Sequence, residues 1–251
     1  MRAGIELVPV SLPELVVARM ERDQDYVGLK AVYTIGRIER GRSEFWTRGR
    51  AWRGAPGSIV LQQPGDVHRD IARDGPMTYQ LIRLPDDVEP LFRGVRLHSC
   101  LDADDPRGAA FQRLHDAVLR RADRLTLECL YTEAIAALGG IGGSRSEHTR
   151  PVRRALEMIH DRLAEAWTLD ELARHAGLDK FHLCRAFRSQ VGLPPHAYRT
   201  QLRIREAKAL LSAGVRPRDI APRVGLYDQS QLNRHFRRIV GMTPGEFVRA
   251  R

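Results

Sequence analysis

Cysteine is scarce in this chain. The three residues, Cys100, Cys129 and Cys184, lie far apart with no CxxC among them. An odd, scattered set excludes a disulfide scaffold and a thiolate zinc site, and it fits a reducing compartment. Also missing is any run of about 18 apolar residues, the length a membrane-spanning helix needs. The N-terminus has no apolar signal core either, so the expectation is a soluble protein that stays in the cytoplasm.

The 251 residues suit two domains, each large enough to bury a core. GGIGGSRSEHTR, residues 139–150, has four glycines in its first five positions and predicts a flexible linker. The expected division is residues 1–140, a linker over 141–150, and residues 151–251. Charge divides at the same place. Residues 150–251 hold 20 of the 41 basic residues and 10 of the 31 acidic ones, so the whole net charge of +10 sits there. One sign concentrated in one domain is the electrostatic footprint of a nucleic-acid binder.

That basic segment repeats itself. FHLCRAFRSQVGLPPHAY at 181–198 returns 49 positions later as SQLNRHFRRIVGMTPGEF at 230–247. Seven aligned pairs are identical: Leu183/Leu232, Arg185/Arg234, Phe187/Phe236, Arg188/Arg237, Val191/Val240, Gly192/Gly241 and Pro195/Pro244. Leu, Phe and Val at i, i+4 and i+8 line one helix face, and both arginines fall off it. Upstream, Leu172-Ala173-x-x-x-Gly177-Leu178 matches Ile220-Ala221-x-x-x-Gly225-Leu226 at an offset of 48. TLDE at 168–171 has the form of a capping box, and Asp179 and Asp228 stand where second helices would be capped. Each copy therefore reads as helix, glycine turn, helix: a helix-turn-helix, near 168–190 and again near 217–240.

In LARHAGLDKFHLCRAFRSQVGLPPHAYRTQLRIREAKALL and DIAPRVGLYDQSQLNRHFRRIVGMTPGEF the segment resembles the DNA-binding domain of the AraC (arabinose-regulator) family of bacterial transcription regulators. The resemblance implies two helix-turn-helix subdomains on a connecting helix over about Pro195–Ser212, with Gly214 as its stop. It assigns base edges to Phe181, Cys184 and Arg185 in the first copy and to Gln229, Gln231, Asn233 and Arg234 in the second. The types suit that chemistry: Arg pairs with guanine, Gln and Asn with adenine, and an apolar group with a thymine methyl. Lys180, Arg188, Arg237 and Arg238 are assigned to phosphates, which position without specifying. Pro222 departs from the family pattern, as do Leu226, Gln231 and Leu232. A proline inside a helix costs about 3 kcal/mol where nothing adapts, so the helix before the second reader is expected to be kinked or short, and Pro222→Ala to stabilise.

Residues 25–100 read as short strands, LKAVYTIGRI, SEFWTR, AWRG, SIVLQQ and TYQLIRL, punctuated by ERG, APG and PGD. Such spacing predicts a sandwich or small barrel. The stretch from GRIERG to PGDVHR is similar to the cupin-like effector-binding domain of the same family. That resemblance places Arg40, His68, Tyr79 and Leu81 at effector-contacting positions, with Trp46, Trp52 and Arg83 as looser candidates. Metal-dependent cupins carry a His-x-His and a Glu on one strand pair. Here FWTRG and AWRG have no histidine, and His68 as the only barrel histidine makes a poor metal site, so no metal, cofactor or catalytic residue is expected. Residues 106–138 read as two helices, with Phe111, Leu114, Val118 and Leu119 on one stripe and Leu127, Leu130, Ile135 and Leu138 on another. Such a pair serves either dimerisation, its usual role in the family, or burial against the barrel.

The fold expected is α+β in two domains: a small cupin-like β-barrel with a helix pair, then an all-α domain with two helix-turn-helix motifs. The function expected is a ligand-responsive, sequence-specific DNA-binding transcription regulator rather than an enzyme. Its partners would be promoter duplex DNA, a small polar effector, a second copy of itself and RNA polymerase, with no membrane. Two alternatives stay open: a degenerate cupin enzyme or sensor that binds DNA secondarily, and a constitutive DNA-binding module without ligand.

Overall fold

The computed structural model describes residues 4–22, 25–85, 88, 91–92, 96–143 and 148–249. The chain forms two compact units, Met1–Glu147 and His148–Arg251.

In the first unit β1 (Gly4–Val8), β2 (Val16–Arg22), β3 (Val27–Leu29), β4 (Thr34–Arg40), β5 (Ser43–Thr47) and β6 (Arg50–Gly54) are followed by β7 (Ile59–Gln62), β8 (Val67–Arg73) and β9 (Met77–Arg83). Short β10 (Arg96–Leu97) and β11 (Cys100–Leu101) come next, then helices α1 (Ala109–Leu119) and α2 (Arg124–Gly140) and the two-residue β12 (Gly142–Gly143). One sheet has the order β1-β2-β9-β4-β7-β11, and a second has β3-β8-β5-β6. All pairings are antiparallel, so alternation assigns each side chain of the larger sheet to one of two faces. Val17, Ile35, Ile59, Leu61 and Ile82 occupy one face and pack against Phe111, Leu114, Val118, Leu127 and Leu138 of the helices. Ile38, Val60, Met77 and Cys100 occupy the other, packed with Phe45 of the smaller sheet and with Trp52 and Tyr79.

LKAVYTIGRI is not one strand: it breaks between β3 and β4, where the Lys30 amide donates to Asp66 O and Lys30 O accepts from the Gly65 amide across the PGD turn. β1, β2 and β8 had no counterpart in the sequence reading. Leu119 is 52% exposed, because a position eight residues past Phe111 has rotated off the stripe, and His115 and Ala117 are buried in its stead. His98 belongs to this unit too, edge-on to Trp52 at 4.7 Å. The expected linker is shorter than read: Gly139 and Gly140 close α2, and Gly142–Gly143 pair with Arg96–Leu97. Residues 144–147 lie outside the described residues.

A polar seam joins α1 to the larger sheet. Arg37 donates to Asp116 Oδ1 at 2.6 Å, Gln112 Nε2 donates to Gly57 O at 2.6 Å, and His115 Nδ1 donates to Gln80 Oε1 at 2.7 Å. Burial, reinforced by the nearby Arg37 charge, pulls the fully buried His115 imidazole down to about 3.

The second unit begins with α3 (Arg150–Asp161), α4 (Leu169–Ala176), α5 (Lys180–Val191) and α6 (Pro195–Ser212). It ends with a 3-10 turn (Pro217–Asp219), α7 (Ile220–Arg223), α8 (Gln229–Val240) and α9 (Pro244–Arg249). The connecting helix has the expected bounds, and Gly214 follows it in the left-handed region at φ 84.

Because His115 is held neutral in the fold, the unfolded chain binds one more proton between pH 6.5 and 3. Its contribution to stability is therefore complete above about pH 6.5 and is lost as pH falls. On going from pH 7 to pH 5, the stability of the N-terminal unit in urea should drop by about 2 kcal/mol more in the wild type than in His115→Gln. Equal drops would refute the assignment.

Candidate effector cavity and nucleic-acid interface

Between the two sheets lies a cavity of about 50 Å³, lined by Met20, Lys30, Gly36, Ser43, Phe45, Val60, Gln62, His68, Tyr79 and Leu81. Register brings these together. Met20, Tyr79 and Ile38 are cross-strand neighbours, as are Leu81, Gly36 and Val60, so β2, β9, β4 and β7 present one continuous row. Gly36 keeps that row low, since a Cβ there would stand 2.8 Å from Leu81 Cδ2.

His68 is the most constrained group in the wall. Its ring stacks on Phe45, with centroids 4.7 Å apart. Thr34 Oγ1 donates to Gln62 Oε1 at 2.9 Å, which turns the Gln62 amide toward His68 Nδ1 at 3.4 Å. The proton then sits on Nε2, facing Asp70 Oδ1 at 3.2 Å, while Asp70 Oδ2 accepts from the Tyr26 amide at 2.9 Å. Placed on β8 rather than in a turn, His68 presents an oriented polar edge to a cavity that also holds the polar side chains of Lys30, Ser43, Gln62 and Tyr79.

Of the effector positions taken from the resemblance, His68, Tyr79 and Leu81 meet in this cavity and Arg40 does not. The register shifts between Ile38 and Arg40, so that Arg40 stands opposite Thr78 instead of continuing the row of Gly36 and Ile38. That bulge turns Arg40 out to solvent. Arg83 is likewise exposed at the end of β9. Trp46 stacks under Arg69, its neighbour on the outer face of β5 and β8, and Trp52 packs in the cluster beside the cavity. Lys30, Ser43 and Gln62 were missed; Lys30 reaches the cavity only because its backbone pairs with the PGD turn in the folded chain, a contact that sequence does not show. Among the described residues no group of three His, Cys, Asp or Glu side chains could hold a metal ion.

In the second unit both copies of the repeat are built alike. Thr168 Oγ1 accepts from the Glu171 amide and Glu171 accepts from the Thr168 amide, the capping box that starts α4. Gly177 ends α4 at φ 75, and Asp179 starts α5 by accepting from the Phe181 and His182 amides at 2.9 Å each. These hydrogen bonds, to the His182 backbone above all, hold the Asp179 carboxyl down at about 2. Leu183 and Phe187 are wholly buried, as are Leu232 and Phe236 in α8. Each such side chain is worth about 1.5–3 kcal/mol of burial, enough to fix which face of each helix looks outward.

Phe181, Arg185 and Arg188 are on the exposed face of α5, with Cys184 half-buried beside them. Gln229, Arg234 and Arg237 are exposed on α8, with Asn233 partly so. Three candidates have internal partners. Lys180 pairs with Asp170 at 3.3 Å, Arg238 Nη2 lies 3.1 Å from His235 Nδ1, and Gln231 Oε1 accepts from the Tyr227 amide at 2.8 Å. Gln231 is thus a capping residue whose amide nitrogen alone is left to face outward. Tyr227, 93% exposed, was missed; it is the inserted residue that changes the repeat offset from 48 to 49.

The helix before α8 is short, as expected from Pro222. α7 is one turn after a 3-10 turn, against two turns in α4. Both nonetheless close identically: Leu178 N donates to Ala173 O, and Leu226 N to Ala221 O.

Two family models match. One described as an AraC-like ligand binding domain covers residues 30–135, and one described as a helix-turn-helix domain covers residues 172–250. The regulator YbfI of Bacillus subtilis is 30% identical over 215 residues, spanning 80% of this chain and 78% of that protein. The chain belongs to the AraC family of transcriptional regulators. The arabinose operon regulatory protein of Escherichia coli is 26% identical over 245 residues, covering 88% of this chain and 81% of its own. At the level of fold, an apo ToxT variant from Vibrio cholerae superposes with a TM-score of 0.53 at 11% identity, covering 96% of this chain and 98% of that one. This AraC-family regulator therefore joins a ligand-binding domain to a DNA-binding helix-turn-helix domain.

The place of Pro222 reverses the effect first expected of replacing it. It is the third residue of α7 and exposed, where a first-turn amide has no helical carbonyl to meet. Pro222→Ala gains no hydrogen bond and frees the unfolded chain, so it should lower the stability of the full chain by about 0.4–1 kcal/mol. A rise in the denaturation midpoint would show that the amide at 222 finds an acceptor.

Proposed function

We propose that this regulator reads a promoter through α5 and α8 in response to a small polar molecule held beside His68 and Tyr79. Phe181, Cys184 and Arg185, with Gln229, Asn233 and Arg234, reach base edges, and Gln231 adds a donor from its amide nitrogen. Arg188 and Arg237 hold phosphates, with Lys180 and Arg238 lending charge from within their own pairs. The observation that carries this reading is the pairing of Arg185 with Arg234 and of Arg188 with Arg237, each outward on a helix whose opposite face is a buried Leu/Phe spine.

The protein acts as a homodimer in the cytoplasm, carries out no catalysis of its own and works with RNA polymerase at its promoter. The exposed Leu125 and Cys129 on the outer side of α2 support the dimer contact, since the opposite side, Leu127, Ala134 and Leu138, is consumed by the core. No helix among the described residues is long and apolar enough to cross a membrane. The effector is of modest size: about 50 Å³ holds a few waters or a small polar group, so a larger ligand enters by displacing side chains.

Arg185 and Arg188 distinguish reader from holder. Arg185→Ala should relax preference at one base pair by about 1–3 kcal/mol while binding to random duplex changes little. Arg188→Ala should weaken binding to all sequences alike and reduce the salt slope by about one contact. The measurement is a titration of each variant on a selected site, its single-base variants and random duplex at two salt concentrations. Equal losses everywhere from both substitutions would make Arg185 a phosphate contact and remove the direct-readout assignment.

A further inference from the structure

The two helix-turn-helix copies meet at a joint that uses two arginines of α6. Arg199 Nε donates to Leu163 O at 3.2 Å and Arg203 Nε to the same oxygen at 3.0 Å. A second nitrogen of each guanidinium is directed at Glu165 O. Leu163 and Glu165 lie in the loop between α3 and α4, which leads directly into the first copy. Trp167 closes that loop by donating to Arg162 O at 3.1 Å, and the Arg199 guanidinium lies 4.0 Å over its ring. On its other side the loop meets the second copy. A Cβ on Gly225, in the turn between α7 and α8, would stand 2.2 Å from Ala164 O and 2.6 Å from Arg203 Nη2. Loop, arginine and glycine turn are therefore in close contact at one place.

Neither arginine has a carboxylate partner among the described residues; carbonyl oxygens take the donors instead. Burial, with the charges of Arg203 and Arg162 behind it, pulls Arg199 down to about 10, and burial lowers Arg203 as well. Cations held half-buried without counter-charge are costly to keep, and such groups persist where their position matters. Arg203 also contributes to lowering the His235 imidazole in α8, after burial, Arg238 and Arg234, which puts its charge at the second reader.

We propose that Arg199 and Arg203 act as a clamp that fixes the second reading helix relative to the first, so that these two positioning residues set the spacing between the two DNA segments the chain accepts. A planar guanidinium grips two carbonyls of one loop with donors fixed in direction, whereas an ammonium offers rotatable donors from a single nitrogen and holds the loop less rigidly. Gly225 is the matching element: with φ 75 and no Cβ, it lets the second turn come within contact of the gripped loop.

The proposal rests on α5 and α8 both reading bases. The test uses the full chain and duplexes that it enriches from a random-sequence pool, along with derivatives carrying one base pair more or fewer between the two protected segments, and duplexes carrying either segment alone. The wild type should lose about tenfold or more on a one-base-pair insertion, because each step moves the second segment by about a tenth of a helical turn. Arg203→Lys keeps the charge on an aliphatic stem, and its circular dichroism should match that of the wild type. It should weaken binding at the native spacing about tenfold, cut the insertion penalty to about threefold or less, and leave single-segment affinity and the salt slope unchanged. Gly225→Ala, approached from the other side of the joint, should flatten the spacing preference in the same way at a temperature where its circular dichroism remains that of the folded chain.

An insertion penalty that stays at its wild-type value in Arg203→Lys overturns the clamp. So does a uniform loss on every duplex with a shallower salt slope, the signature of a phosphate contact. A wild type with no preference for one of the two segments overturns the reading beneath it, and the clamp with it.

Discussion

A residue on β4 or β9 faces either the helices or the cavity, and antiparallel register decides which. Ile35, Arg37 and Ile82 go one way, into the apolar packing and polar seam beneath α1; Gly36, Ile38, Tyr79 and Leu81 go the other. The ligand-binding half of this regulator depends on that division. The same two strands form the wall of the cavity and the seat of the helix pair, so neighbouring residues serve opposite sides. Gln80, between Tyr79 and Leu81 of the cavity wall, is hydrogen-bonded to His115 of α1. A displacement of the β9 backbone at the cavity is therefore felt at a buried, neutral imidazole on the far face, without any intervening layer.

The second half depends on a different constraint, the left-handed glycine. Gly177 and Gly225 both turn the chain at φ 75, and Gly192 and Gly241 both end the helix that follows near φ 90. With those four points fixed, copies that share few side chains adopt the same path. The short α7 shows how far the intervening helix can vary: it retains the closing hydrogen bonds while losing a turn to Pro222.

These constraints also explain what could be read from sequence. The duplicated Leu/Phe spine, the Asp caps, the capping box at Thr168 and the bounds of α6 were legible because each is a local pattern with one physical reading. Most strands with alternating or continuous apolar character were legible too. β2, as VVARMER, and β8, as VHRDIAR, mix charge with apolar residues on both faces and carry no such signal. The bulge at Glu39 was beyond reach for a related reason: one extra residue is invisible in composition, yet it reverses the face of Arg40. His68 was found through resemblance. Its partners come together across the gap between the two sheets, for Gln62 on β7, and along its own strand, for Asp70, and no motif advertises that.

Arginine sets the limit of such reading in the basic unit. Arg185, Arg188, Arg199 and Arg203 are of one type, within 19 residues, and in sequence all four add to one positive balance. Burial separates them. The two on α5 extend from an exposed face, where a guanidinium keeps its hydration and is available to a nucleic acid. The two on α6 give Nε and a terminal nitrogen to main-chain carbonyls of a neighbouring loop. The electrostatic field that attracts DNA counts all four alike, since charge acts over roughly a Debye length irrespective of hydrogen bonding. Specific recognition does not, because it needs donors directed at a base or backbone. In this domain net charge therefore reports that DNA is bound, and the local partner of each guanidinium decides whether it meets the duplex or holds the frame that does.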